Sequence, residues 1–122
     1  MSALDIATAF LDAWTAGDFD NASRYLAADF KFDGPNAHYT SARDFLDGSR
    51  RFVEMLQPGW TAVATFGDDR EALLLYDLHF KSGQPMRLAD HYVVTGDRIQ
   101  TETILWDTYG SPFRAAAASG QI

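Results

Sequence analysis

Two periods divide this sequence at Trp60. Before it, apolar residues recur three and four apart, as along one stripe of a helix; after it they alternate through four runs set off by turn residues. Ile6, Ala7, Phe10, Leu11 and Trp14 define a helix over 3–16, with Ser2 to cap its start and Gly17 its end. Asp18 suits the cap of a shorter second helix through Phe19, Ala22, Tyr25 and Leu26. Phe30-Lys31-Phe32 then alternate as a short strand, closed by the turn residues Gly34-Pro35-Asn36. Ser41, with Asp44 three residues on, opens a third helix carrying Phe45, Phe52 and Leu56, and Pro58-Gly59 stops it. The runs 61–66, 71–81, 86–95 and 98–109 read as strands. Helices first and a meander after make an α+β pattern, and 122 residues suffice for one domain, 1–122. The alanine run 115–118 predicts a short terminal helix or a frayed tail over 115–122.

Composition narrows the partners. Asp+Glu 17 against Lys+Arg 10, with no basic stripe or tail, argues against nucleic acid. The lack of cysteine removes disulfides, thiol nucleophiles and cysteine metal sites together, so stability rests on packing. No apolar run approaches bilayer length, and Met1-Ser2-Ala3-Leu4-Asp5 has no basic region before an apolar one; a cytoplasmic protein without membrane contact is expected.

Hairpin register predicts which side chains converge. If Lys81 pairs with Met86 across the turn 82–85, Asp77 lies opposite Asp90, His79 opposite Leu88 and Leu75 opposite Tyr92. Asp77, His79, Asp90 and Tyr92 then share one wall, while Leu74, Tyr76, Leu78 and Phe80 point the other way. That second face is too apolar for water and must pack on the helices or on a second copy, and a homodimer is the preferred reading. In the last hairpin, Val94 to Ile99 can turn through two residues or through three with a bulge, which decides whether Trp106 or Asp107 faces the pocket.

Two carboxylates in an apolar pocket repel each other and are desolvated, which raises one pKa and sets an acid beside a base. Asp90 and Asp77 are the candidate pair, and His79 a candidate proton carrier; the alternative is that the carboxylates accept hydrogen bonds from Arg87, His79 or a tyrosine and support the sheet, with His79 an oriented neighbour of Asp77. His91, one residue after Asp90, points to the opposite face. One inward histidine falls short of a facial triad, so no metal is expected. Phe10, Trp14, Phe32, Trp60, Tyr92 and Trp106 are the candidate ligand-binding residues, in competition with a plain core role. His38 and Tyr39 fall on the loop entering the third helix.

The segment Thr8-Ala9-Phe10-Leu11-Asp12-Ala13-Trp14-Thr15-Ala16-Gly17-Asp18, with Ala28-Asp29-Phe30-Lys31-Phe32-Asp33-Gly34-Pro35, resembles the opening of ketosteroid isomerases and SnoaL-like polyketide cyclases. These belong to the nuclear transport factor two-like superfamily. Leu88-Ala89-Asp90-His91-Tyr92 and the stretch from Gly96 through Trp106-Asp107 are similar to the family's final strands. The resemblance implies a cone-shaped, cystatin-like roll: three N-terminal helices on a strongly curved, mixed, mainly antiparallel sheet, with a pocket at the open end and dimers through the sheet's outer face.

It also implies that Asp90 matches the aspartic acid that ketosteroid isomerases keep protonated to donate to an oxyanion. Gly34 stands where that family carries its base, with Asp33 one residue before, and Phe10 where it carries the phenol. Without both, authentic ketosteroid isomerase activity is not expected. SnoaL-like cyclases use acid–base residues on the sheet wall, which Asp77, His79 and Asp90 could supply. The expected function is binding of a small apolar or amphipathic molecule, with isomerisation, cyclisation or hydrolysis and no cofactor. The alternative is a non-catalytic binding domain with the same pocket. Epoxide hydrolysis of the limonene epoxide hydrolase type needs an arginine bridging its carboxylates, and Arg87 has the wrong parity to bridge Asp90.

Overall fold

The computed structural model describes residues 1–108; the expected tail over 115–122 and Tyr109 lie outside the described residues. Helix α1 (Ala3–Thr15) opens with a capping box in which the Ser2 hydroxyl and the Asp5 carboxylate each accept the other's backbone N–H. Asp18 caps α2 (Phe19–Ser23) and Ser41 caps α3 (Ala42–Glu54). The strands are β1 (Leu26–Asp33), β2 (His38–Tyr39), β3 (Leu56–Gly67), β4 (Glu71–Phe80), β5 (Met86–Thr95) and β6 (Arg98–Trp106).

They form one six-stranded sheet in the order β2-β1-β6-β5-β4-β3, in which β1 runs parallel to β6 and the other neighbours are antiparallel. The fold class is the expected α+β, with helices on one face of a curved, unclosed mixed sheet. Helix α1 lies across β3 to β6, and α3 covers β1 and β2. Between helices and sheet, Ile6, Phe10, Leu11, Leu26, Phe30, Leu74, Leu78 and Ile99 are wholly buried. Among the described residues no helix is long and apolar enough to cross a membrane.

Several boundaries differ from expectation, among them the end of β6 at Trp106. Leu26 begins β1 instead of ending the second helix, because α2 stops after five residues and the chain pairs with β6 at Leu26–Ile99. Strand β3 starts at Leu56, not after Pro58-Gly59; those two residues sit in a break of register, where Gly59 takes φ 96. His38 and Tyr39 form a short strand against β1.

The consequential correction concerns the β4–β5 register. Met86 pairs with Leu78, not Lys81, so Asp77 faces Arg87 and Leu74 faces Asp90. The end of β4 is held elsewhere: Phe80 pairs with Leu56 and packs edge-on against Phe52 of α3, while Lys81 N–H donates to Met55 O. β4 therefore outlasts its partner, and the loop is longer than the four turn residues suggest. An odd slip exchanges the two faces. Leu74, Tyr76 and Leu78 point inward with Asp90 and Tyr92, and Asp77 and His79 are outside. On that outer face Phe66, Leu73, Leu75 and Leu105 are exposed, Phe66 by 69% and Leu105 by 63%.

Candidate functional site

The site grows from one row of side chains crossing the inner face. Backbone pairing aligns Ala72, Tyr92, Glu102, Phe32 and Tyr39 across five strands, β4-β5-β6-β1-β2. Glu102 stands in the middle of it. In the next row Asp90 lies between Leu74 and Ile104, which makes Tyr76 and Glu102 its diagonal neighbours and Tyr92 its neighbour along the strand.

Glu102 reaches this face because of a bulge. The last hairpin turns through Gly96 and Asp97, both at positive φ, with Thr95 paired to Arg98. Val94 then pairs with Ile99 but Val93 with Thr101, so Gln100 is extra and the alternation of β6 reverses. Ile99 is buried before the bulge; Glu102, Ile104 and Trp106 face inward after it, and Leu105 is left outside. Both readings of this hairpin thus contribute, and Trp106, not Asp107, lines the cavity.

Asp90 is fully buried and accepts the hydroxyls of Tyr76 and Tyr92 on Oδ2, each at 2.7 Å. Among the described residues no donor reaches Asp90 Oδ1 or Glu102 Oε1, so the hydrogen bond between the two carboxyls exists only when one of them is protonated. Burial raises Asp90 to about 6, against the opposing pull of its bonds to Glu102, Tyr92 and Tyr76. Burial raises Glu102 well above the ordinary glutamate range, and the charge of Asp90 adds to it. Two carboxyls in contact, both raised by burial, favour holding one proton between them over ionising together, which leaves one negative charge on the pair. The two phenols are pushed well above 10 by burial first and by that charge second, and remain donors.

Against this quartet lies a cavity of about 90 Å³. Its wall is aromatic: Phe10 and Trp14 from α1, Phe45 and Phe52 from α3, Phe32, Tyr39 and Trp106 from the sheet. The rings support one another, with Phe45 4.7 Å from Phe32 and stacked near-parallel on Trp14 at 6.4 Å. Tyr39 closes one side, its hydroxyl so near Gly48 that a Cβ there would stand 2.2 Å from it. Glu102 and Tyr76 line the cavity; Asp90 and Tyr92 sit behind them. Asp90 is thus buried one layer deeper than the pocket wall on which it was expected.

Of the expected ligand-binding residues, Phe10, Trp14, Phe32 and Trp106 line the cavity, whereas Tyr92 and Trp60 do not. Tyr92 is committed to Asp90, and Trp60 donates its indole N–H to Asp12 at 2.9 Å and packs edge-on against Tyr76. Asp77 and His79, expected beside Asp90, are on the opposite face. Asp77 takes a bidentate pair from Arg87 at 2.9 and 3.1 Å, which holds its carboxyl below the usual range, and His79 Nε2 is 2.8 Å from the Thr61 hydroxyl. His91 lies outside and pairs with Glu71 at 2.9 Å, and His38 pairs with Asp33 at 2.8 Å.

Gly34 is buried, and a side chain on it would meet Phe32 at 3.0 Å and Ile104 at 3.1 Å, both cavity residues. No group at that position offers a base. Among the described residues no three His, Asp or Glu side chains gather as a metal site.

Glu102 went unrecognised in the sequence. Its signal was an acid between Thr101 and Ile104 in a strand whose inward parity the Gln100 bulge had reversed.

The SnoaL-like domain family matches residues 7–102, and the chain belongs to that family. The nuclear transport factor two-like and ketosteroid isomerase-like character of the fold agrees. A solved protein of Kribbella flavida DSM 17836 is 32% identical over 98% of this chain and 96% of its own, with a TM-score of 0.84. An LEH-like epoxide hydrolase of M. tuberculosis is 19% identical, over 88% of this chain and 84% of its own, TM-score 0.74. A protein with a ketosteroid isomerase-like fold from Catenulispora acidiphila DSM 44928, solved in complex with trimethylamine, is 20% identical over 98% and 95%, TM-score 0.70. At those identities the last two share the fold alone. Comparison with curated proteins gives no match.

Proposed function

We propose that this SnoaL-like chain takes a small, largely apolar molecule into its aromatic cavity and acts on it by proton transfer from Glu102, without a cofactor. The observation that carries the reading is that two buried carboxyls lie within hydrogen-bonding reach of each other and one of them lines the cavity. A carboxylic acid held neutral by burial is a general acid at neutral pH. Glu102 donates its proton to an oxygen of the bound molecule and takes one back from the product or from water as the step closes, while Asp90, held by the two phenols, accepts a hydrogen bond from Glu102 before the transfer and again after the proton is recovered. Isomerisation, cyclisation and hydrolysis all need such a step. Asp77 and His79 have no part in it, being turned away from the cavity.

The test begins with a ligand found by thermal shift and followed by mass spectrometry for chemical change. Glu102→Gln should cut turnover by at least about a hundredfold while the ligand still raises the melting temperature. Equal turnover in wild type and variant would reject Glu102 as the acid.

A binding-only function is favoured by one observation: Asp90 is sealed from the cavity and no group at Gly34 or Phe10 supplies a base or a phenol. Recovery of the ligand unaltered after prolonged incubation would select that reading. For the outer face, a second copy is the proposed cover. Phe66, Leu73, Leu75 and Leu105 form an exposed apolar strip between the Asp77–Arg87 and Glu71–His91 pairs, and a two-fold axis would lay the strip on itself.

A further inference from the structure

Directly behind the cavity wall, in contact with Glu102 on it, lies a charge that no described lining residue balances. Asp90 and Glu102 hold one proton between them, and two phenol hydroxyls stabilise the remaining carboxylate by donation without neutralising it. None of the described lining residues is Lys, Arg or His. Among the described residues the basic side chain that acts on Asp90, His91, lies on the other face of the sheet and is engaged by Glu71 at 2.9 Å. The remainder of the wall is aromatic, including Trp14 and Trp106. Aromatic faces attract cations through their quadrupoles, tryptophan most strongly, and a charge of opposite sign is felt most where water is excluded. Glu102 is 3% exposed and its side chain lines the cavity, so the site presents one acidic group to whatever enters.

Resting on the reading of this cavity as a ligand site, we infer that its preferred ligand is a small cation, a quaternary or protonated amine with apolar substituents. A neutral ligand of the same shape leaves the buried charge unbalanced, and an anion adds a like charge to it. Size agrees: about 90 Å³ is smaller than the roughly 150 Å³ apolar cavity that accommodates benzene, so the ligand has only a few heavy atoms. Recognition then divides between parts of the wall. The aromatic rings hold the alkyl groups of the amine, and the proton-sharing carboxyls hold its charge.

The probes are three compact molecules of similar shape and different charge: tetramethylammonium, tert-butanol and pivalate, titrated calorimetrically in an amine-free phosphate buffer at neutral pH. Tetramethylammonium should bind at least about tenfold more tightly than tert-butanol, and pivalate more weakly than either. The double variant Asp90→Asn, Glu102→Gln, which removes the charge and keeps the shape, should lose that preference, the ratio of tetramethylammonium to tert-butanol affinity falling to near one, with circular dichroism as the check on folding. Tert-butanol or pivalate binding as tightly as tetramethylammonium would overturn the cationic ligand and leave the cavity reading standing. Failure of all three probes to bind would overturn both.

Discussion

Asp90→Asn should change how the stability of this protein depends on pH. The folded chain raises Asp90 from the ordinary 3.8 to about 6, so it binds that proton more tightly than the unfolded chain does. The stabilisation is therefore fully present below the unfolded value of 3.8 and is lost as pH rises through about 6. Ionising a carboxyl held so far above its ordinary value costs roughly 3 kcal/mol by neutral pH. Set against a typical total of about 5–15 kcal/mol, that is a large share. Glu102 acts with the same sign at higher pH, because burial raises it further. Asp5, Asp68 and Asp77 act with the opposite sign, and being lowered they are ionised before this window opens.

In Asp90→Asn the amide oxygen still accepts the Tyr76 and Tyr92 hydroxyls, the charge is gone, and Glu102 loses the second cause of its elevation. Urea unfolding followed by tryptophan fluorescence, at constant ionic strength from roughly pH 4 to 8, measures both proteins. Relative to wild type, the variant should gain about 3 kcal/mol between the ends of that range. Parallel curves would refute the burial argument for Asp90, and with it the one-proton description of the pair.

Gly48→Ala places a Cβ 2.2 Å from the Tyr39 hydroxyl, so the ring must leave its seat. A cost of about 1–3 kcal/mol is expected in thermal unfolding, and Tyr39→Leu in the same chain should recover most of it; additivity of the two changes would contradict the contact. Leu105→Asp puts a charge on the exposed apolar strip. In sedimentation velocity it should convert a wild-type dimer to monomers with unchanged ligand binding, and a wild type that is already monomeric at micromolar concentration would dispose of the second copy.

How much of this was legible before folding follows from the range of each signal. Local chemistry was readable: the Ser2–Asp5 capping box, the Ser41 cap and the break of period at Trp60 depend on residues within a turn of each other. The α+β class and the family resemblance follow from the order of those elements. The candidate site was legible only in part. Asp90 was identifiable as buried, and four of the six expected ligand-binding residues line the cavity, since the inward stripe of one helix or strand is a local property.

Which strands put their groups beside Asp90 was decided by tertiary contacts. Turn composition placed the β4–β5 closure at Lys81 and Met86, but Phe52, Leu56 and Met55 hold the end of β4, and the register slips by an odd number of residues. That slip sends Asp77 and His79 outside and brings Tyr76 in. The Gln100 bulge does the same for β6, exchanging Leu105 for Glu102. The sequence by itself determined the helices, the strands and the presence of a buried acid at Asp90. Its partners were decided only by the tertiary structure, because a period of two makes every facing depend on parity, and parity on contacts made by residues distant in the chain.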